Sequence, residues 1–466
     1  MPDAHEKKSS TSKEATQDDA QKPEEEKPRL DPVRKAKLLQ MLERLHMQTG
    51  DHLPPEVMKA LKAGTALEEV AKAHQFWSTQ PVPQEDIPVN VVPGPFQEDI
   101  SQDKVRSIPY PLPKEFEWVD IDVDDDIQLE GLYTLLNLNY NEDSDGMFRF
   151  DYSTSFLRWA LKPPGFQKSW HFGVRATVSK KLVAFISAIP MQMRVLKDIK
   201  PMVEINFLCI HKKLRLKRLA PVLIKEVTRR SHLQGIFQAI YTAGTRIPTP
   251  VASCPYFHRT LNPKKLVEVG FTALPRGMSL ARRIANDAVP ATPPLKIRLM
   301  EEKDTPRVRE LYNQFQNANT KLAPVYDFDE NIKHWLLPID DVLWTYVVDD
   351  SNGNVSDFVS FYRLDSSVLK HEVHKKINAA YLYYCGTTAQ EQGEQALQAR
   401  LQDLIQSALV MAKQLGFDVF NGIDCALNSA AFSKLKFAQG DGSLNYYLFN
   451  WQCPALERSD IGLIMV

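Results

Sequence analysis

From Val203 to Cys209, apolar side chains fall at Val203, Ile205, Phe207 and Cys209, with Glu204, Asn206 and Leu208 between them. That two-residue period predicts a strand with one buried face, running to about Ile210. The period then lengthens. Leu216, Leu219, Leu223 and Val227 recur every three or four positions with Ala220 and Ile224 beside them, which predicts a helix carrying Pro221 in its first turn. Between strand and helix stand His211, Lys212, Lys213, Arg215, Lys217 and Arg218. The free N–H groups and partial positive charge of a helix start favour anions, and cations clustered there make a seat for a diphosphate. On charge alone, a solvated corner is the competing reading.

The same alternation of strand and helix patterns appears twice along the chain. Trp118 to Asp122 followed by Asp126 to Leu136 reads as strand then helix, and so does Lys296 to Met300 followed by Thr305 to Phe315. Phe156 to Pro163 is echoed by Ile332 to Pro338, Phe185 to Ser187 by Phe358 to Ser360, and Phe237 to Tyr241 by Phe417 to Asn421. The offset stays near 173 to 180 residues, so two copies of one α/β unit are expected, each a mixed, twisted sheet with helices on its faces. Ala285 to Pro294, with three prolines, is the expected joint. Only the first copy keeps the basic turn; the second reads Cys385-Gly-Thr-Thr-Ala-Gln-Glu391 in that place.

Ahead of the first copy the pattern fades. Residues 1–30 are charged and small, too poor in large apolar groups to offset the entropy of ordering, and are expected to be disordered. Leu38, Leu39, Leu42 and Leu45 mark a short basic amphipathic helix between Pro32 and Met47, expected to dock on the main body, with a membrane or ribosome contact as the alternative. Thr65 to Glu68 has capping-box spacing and opens a helix through Ala73. Gln75, Phe76 and Trp77 lead into two prolines, the pattern of a lid, and residues 84–114 form a long wrapped connection.

Composition narrows the function classes. With 466 residues, 43% of them hydrophobic, the chain can bury one large core or two ordinary ones. Lys and Arg (57) nearly balance Asp and Glu (58), so no nucleic-acid footprint is indicated. Five scattered cysteines without C-x-x-C spacing argue against zinc and disulfides and fit a reducing cytosol. The N-terminus lacks a signal-peptide apolar region, and the longest apolar run, Leu182 to Pro190, is too short to span a bilayer, so a cytoplasmic protein is expected. From Asn141 the pattern N-x-D-x-D-G mimics a calcium loop, but Tyr152 stands where a bidentate Glu is required, so no metal is expected.

The strings EINFLC (204–209), KKLRLKRLAPVLIKE (212–226) and FWSTQPVP (76–83) resemble the eukaryotic glycylpeptide N-tetradecanoyltransferases, or N-myristoyltransferases, over about residues 70 to 466. The resemblance implies two fused acetyltransferase-like (GNAT) units about a pseudo-twofold. It divides the chain into a charged arm (1–30), N-terminal helices and an acyl-CoA lid (31–115), an acyl-CoA-binding half (116–290), and a peptide-binding half carrying the C-terminal carboxylate (295–466). The reaction it implies transfers a myristoyl group from myristoyl-CoA, as co-substrate, to the α-amine of an N-terminal glycine. A monomer is expected.

The resemblance also assigns residues. The acyl-CoA contacts would be Gln75, Phe76, Trp77, Phe207, Leu208, Cys209, Ile210, Arg215, Leu216, Lys217, Arg218, Leu219 and Ala220. The backbone amides of Phe207 and Leu208, assisted by Asn206, would stabilise the oxyanion, and the Val466 carboxylate would be the base, with Thr242 helping to hold the amine. Tyr140, Glu142, Asp143, Phe148, Phe150, Tyr152, Tyr256, His258, Ser366, Tyr381, Gly440, Asp441 and Gly442 would surround the peptide, the acids facing basic residues beyond the glycine. The tail Ile461 to Val466 is apolar to its end, so burial should raise the basicity of its carboxylate. An acyl-cysteine route through Cys209 and His211, which a regular strand would put on one face, is the mechanistic alternative. A short-chain N-acetyltransferase and a catalytically dead tandem fold are the alternatives for function.

Overall fold

Each half of the chain lays down a similar succession of elements. In the first these are β1 (Phe116–Asp120), α1 (Asp126–Asn139), β2 (Phe148–Asp151), α2 (Thr154–Leu161), β3 (His171–Ala176), β4 (Leu182–Val195), β5 (Asp198–Ile210), α3 (Leu219–His232), β6 (Ala239–Ala243) and β7 (Ala252–Thr260), followed by α4 (Pro263–Glu268) and α5 (Leu280–Asn286). The second runs β8 (Ile297–Leu299), α6 (Thr305–Asn319), β9 (Leu322–Pro324), α7 (Asp329–Leu336), β10 (Leu343–Asp349), β11 (Val355–Arg363), β12 (Asp365–Val368), β13 (Lys376–Ile377), β14 (Ala379–Thr387), α8 (Glu394–Gln414), β15 (Val419–Ile423), α9 (Asn428–Lys434) and β16 (Ala438–Phe449). This computed structural model describes residues 76–466 apart from 86, 89, 144 and 248, and of Leu216 the backbone only. The charged arm, the helices expected at 32–47 and 65–73, and Gln75 lie outside the described residues.

The main sheet has the order β1-β3-β4-β5-β6-β16-β7-β15-β14-β11-β10-β8, with β9 added to the far end of β4. Read from both edges inward, the order is a palindrome. At its centre the last strands have changed places: β16, from the second half, lies against β6, and β7, from the first, lies against β15. β5 pairs β6 in parallel and β14 pairs β15 in parallel, because α3 and α8 carry the chain back across the sheet between them. The expected duplication is therefore visible strand by strand, whereas the exchange of last strands is not in the sequence pattern.

The repeated tryptophan segments meet on the pseudo-twofold. Trp159 and Trp335 have ring centroids 5.6 Å apart, Trp159 Nε1 donates to His334 O at 2.9 Å, and His334 Nε2 lies 2.9 Å from Trp159 O. A second, three-stranded sheet joins β2 to β12 and β12 to β13, with Phe150 opposite Ser366. The connection from 84 to 114 is tied down by polar clamps. Buried Glu226 accepts from Tyr110 N (3.1 Å) and pairs with Arg229 and Arg230, while Arg229 Nη1 donates to the carbonyls of Arg106 and Ser107. Among the described residues no helix is long and apolar enough to cross a membrane.

One expectation is corrected. Val203, Ile205, Phe207 and Cys209 do not share a face. Cys209 pairs Phe185 and Asn206 pairs Ser187, so Phe207 and Leu208 together oppose Ile186, a β-bulge. One extra residue inverts the alternation. Val203 and Ile205 pack with Leu208 and Ile210 against the α3 side, while Phe207 and Cys209 pack on the α1 side. The second half repeats the device, with Tyr383 and Tyr384 opposing Ser360.

Candidate functional site

The bulge in β5 is where the site begins. Phe207 takes φ +55°, which turns its N–H out of the ladder and onto Asn206 Oδ1 at 2.8 Å. Ser187 Oγ donates to Asn206 O at 3.0 Å and steadies the distortion. The other end of the Asn206 amide, Nδ2, donates to the terminal oxygen of Val466 at 2.5 Å. A single side chain thus joins the bulge to the end of the chain, 260 residues away. Thr242 stands one register step beyond the Ile205–Tyr241 pair, on the strand beside Asn206.

The tail reaches this point by a fixed route. Ile461, Leu463 and Ile464 are buried, and Met465 and Val466 half-buried. Gly462 N donates to Leu322 O, Ile461 O accepts from Ala426 N, Tyr446 Oη donates to Leu463 O at 2.8 Å, and Ile464 N donates to Tyr384 Oη at 3.2 Å. The tail passes the second-half bulge, and Gln316, Tyr384, Cys385, Cys425 and Gly462 line a small cavity of about 20 Å³ there.

After β5 the chain makes a 3₁₀ turn from Lys212 to Lys217, then enters α3 through Arg218, which takes φ +54° and, having no acceptor on its side chain, leaves the helix start uncapped. Those first N–H groups, at Leu219 and Ala220, remain suited to an anion. Lys217 and Arg218 are exposed beside them. Arg215 is different: its guanidinium turns inward to the carbonyls of Ile210 and Asn139, closing the end of α1. Phe76 and Trp77 are buried over the same region, Trp77 stacking on Tyr241 at 5.5 Å and Tyr241 on Tyr447 at 5.1 Å.

On the other side of Phe207 runs a line of rings. Tyr152 meets Phe207 at 5.3 Å and Tyr140 meets it at 6.1 Å; Phe150 meets Tyr152 at 5.9 Å and Tyr381 at 6.3 Å. Tyr381 pairs Asn421, whose Oδ1 lies 2.7 Å from His258 Nδ1. Burial lowers the His258 pKa, so the ring is neutral near pH 7. Gly440 is required here, because a β-carbon on it would lie 2.2 Å from His258 Nε2. Gly442 adjoins Tyr256, and Asp441 carries the negative charge facing His258. Phe148 packs on Phe271, which also meets His258, and Ser366 lies opposite Phe150.

The acids of the loop have partners of their own. Glu142 pairs with Lys212 at 2.5 Å and Arg149 at 3.6 Å, and the Lys212 bond holds its carboxyl below the usual range despite partial burial. Asp143 Oδ1 accepts from the amides of Met147 and Phe148, both at 2.7 Å, shaping the turn. Among the described residues no His, Cys, Asp and Glu side chains gather as a metal group. Cys209 and His211 do not form a pair: the thiol lies on Leu135 O and burial pushes it up to about 12, while His211 Nδ1 accepts from Lys213 N in the turn.

Asn421, Phe271, Ser187 and Tyr384 belong to this constellation and were not singled out in the sequence. Ser187 had a signal, since it closes the repeated Phe-x-Ser words whose second copy ends at Ser360. Asn421 likewise closes the second of the paired segments Phe237–Tyr241 and Phe417–Asn421, whereas Phe271 and Tyr384 are brought in by packing between distant elements, which periodicity does not carry.

Two family models match the chain: Myristoyl-CoA:protein N-myristoyltransferase, N-terminal domain, over residues 95–254, and its C-terminal domain over residues 268–463. The chain is 49% identical to glycylpeptide N-tetradecanoyltransferase 2 of Bos taurus over 401 residues, covering 86% of this chain and 78% of that one. It is 48% identical to the probable glycylpeptide N-tetradecanoyltransferase of Caenorhabditis elegans over 400 residues, covering 85% and 86%. The crystal structure of Saccharomyces cerevisiae N-myristoyltransferase with bound myristoyl-CoA superposes with a TM-score of 0.81 at 41% identity, covering 84% of this chain and 99% of that one.

Proposed function

The chain belongs to the myristoyl-CoA:protein N-myristoyltransferase family, and from that premise we propose that it moves the tetradecanoyl group by direct attack of an N-terminal glycine amine on the thioester, with the Val466 carboxylate as base. N-myristoyltransferase activity follows from membership; the residue roles are our reading. The observation that carries it is the Asn206 amide, which holds the Phe207 N–H with one atom and the Val466 oxygen with the other. Bond making needs an anion stabiliser and a proton acceptor within one reacting group's reach, and Asn206 sets their separation.

In this reading the acyl-CoA lies in the first half, under Phe76 and Trp77, with its diphosphate toward the open start of α3 and the cations Lys217 and Arg218. The peptide follows the rings from Tyr140 and Tyr152 past Phe150 and Tyr381 to His258. Its ammonium sits between Thr242 and Val466 and gives one proton to the carboxylate. The C–N bond forms, the thioester oxygen accepts from the Leu208 amide and from the Phe207 amide that leaves Asn206 Oδ1, and as the C–S bond breaks the second nitrogen proton passes to the departing sulfur, which leaves as the thiol. Downstream basic residues of the peptide compete with Lys212 for Glu142.

Incubating the protein with a Gly-initiated peptide and an equimolar mixture of acetyl-CoA and tetradecanoyl-CoA should give the tetradecanoyl peptide by mass spectrometry; predominant acetylation would overturn the assignment. Appending one residue after Val466 should leave peptide affinity intact and cut single-turnover transfer by about 10²–10⁴, the usual worth of a positioned base. Full-rate transfer by that variant would remove the carboxylate from the mechanism.

A further inference from the structure

Glu204 lies two residues before Asn206 on β5, is only 4% exposed, and has no part in the chemistry described above. The Asn206 amide on its own strand bonds its carboxyl, and Tyr383 and Tyr384 from β14 and Tyr326 just after β9 are near enough to feel its charge. Tyr312 of α6 closes the cluster, its ring 4.8 Å from Tyr326 and 5.1 Å from Tyr384. The arrangement has a direction. Asn206 holds the Val466 oxygen and Tyr384 holds the Ile464 amide, so two of the side chains that grip the end of the tail also lie near Glu204.

We propose that Glu204 is a positioning residue for the Val466 base, its carboxyl fixing the Asn206 amide that holds the end of the tail. This rests on the proposed role of Val466. Asn206 Nδ2 gives one hydrogen to the Val466 oxygen, so its second hydrogen needs another acceptor, and a protonated carboxyl supplies one without adding charge. Burial raises the Glu204 pKa to about 8, and the residue therefore keeps its proton through neutral pH. Above that, a second carboxylate would share Asn206 with Val466, and like charges across one side chain would push the tail from its seat.

The test is single-turnover tetradecanoyl transfer to a Gly-initiated peptide between pH 6 and 10, together with peptide affinity and thermal melting, on wild type, Glu204→Leu, Glu204→Gln and the tail-extended protein. Glu204→Leu should lose about tenfold or more in transfer with affinity unchanged, and Glu204→Gln should restore most of it. Glu204→Gln should also keep its rate above about pH 8, where wild type falls away. Between the ordinary carboxyl pKa and about 8 the folded protein holds a proton the unfolded chain has lost, so wild-type melting temperature should fall across that window relative to Glu204→Gln. Superimposable pH profiles, or a Glu204→Gln loss as deep as that of Glu204→Leu, would overturn the proposal; if Glu204→Leu does not fold, the Glu204→Gln profile decides. Full-rate transfer by the tail-extended protein would instead sink the base itself, so the two failures are told apart.

Discussion

A β-carbon at position 462 would lie 2.1 Å from Gln316 Oε1, 2.8 Å from Thr320 Oγ1 and 2.9 Å from Ala323 Cβ. None of these can retreat easily, because Gln316 and Thr320 are buried with Thr320 Oγ1 donating to Gln316 Oε1 at 3.1 Å, and Ala323 is in β9. Gly462→Ala should therefore cost about 1–3 kcal/mol of stability, the usual range for overpacking, and displace the four residues beyond it. We expect a lower melting temperature and a fall in kcat larger than the change in KM. Elsewhere, a buried imidazole makes the fold sensitive to acid. His171 is 1% exposed, and burial lowers its pKa to about 4. The unfolded chain takes up that proton near pH 6.5 and the folded protein does not, so stability is lost as pH falls from 6.5 toward 4, by about 3 kcal/mol for this group. His171→Gln should flatten that slope in denaturation series at pH 4, 5 and 7.

The elements were largely legible, and where they were not the reason is local. The strand, basic turn and helix from Val203 to His232 follow from the change of period, and the paired words at Phe185 and Phe358 both lie in strands. The bulge at Phe207 was hidden because alternating apolar residues continue straight through it; only the partner strand, one residue short, reveals the inversion. The ring line was legible through family words at Tyr140, Phe150 and Tyr381, whereas Asn421 and Phe271 required the register of β15 and the packing after α4. Element α3 also does work that its sequence only hints at. Glu226, with no exposed side-chain surface, is held by Arg229 and Arg230 and anchors Tyr110 of the wrapped connection. Glu226→Gln leaves two guanidiniums with a weaker partner and should cost about 3–5 kcal/mol, as broken buried pairs do. Limited proteolysis should then cut within 84–114 before the rest of the chain.

At the scale of the molecule, the exchange of β7 and β16 decides how the halves behave. A piece ending near residue 290 carries a strand whose ladder partners, β15 and β16, are in the other piece, and the converse piece has the same defect. Expressed alone, each should fail to give a cooperative melt and should aggregate through its open edges; expressed together, they should co-purify and recover one transition by circular dichroism. Independent folding of either piece would contradict this. The crossing has a further result for traffic through the enzyme. Since the centre of the sheet is a continuous run of hydrogen-bonded strands drawn from both copies, the two halves cannot part without breaking that ladder, and a fourteen-carbon chain should come and go while they stay joined.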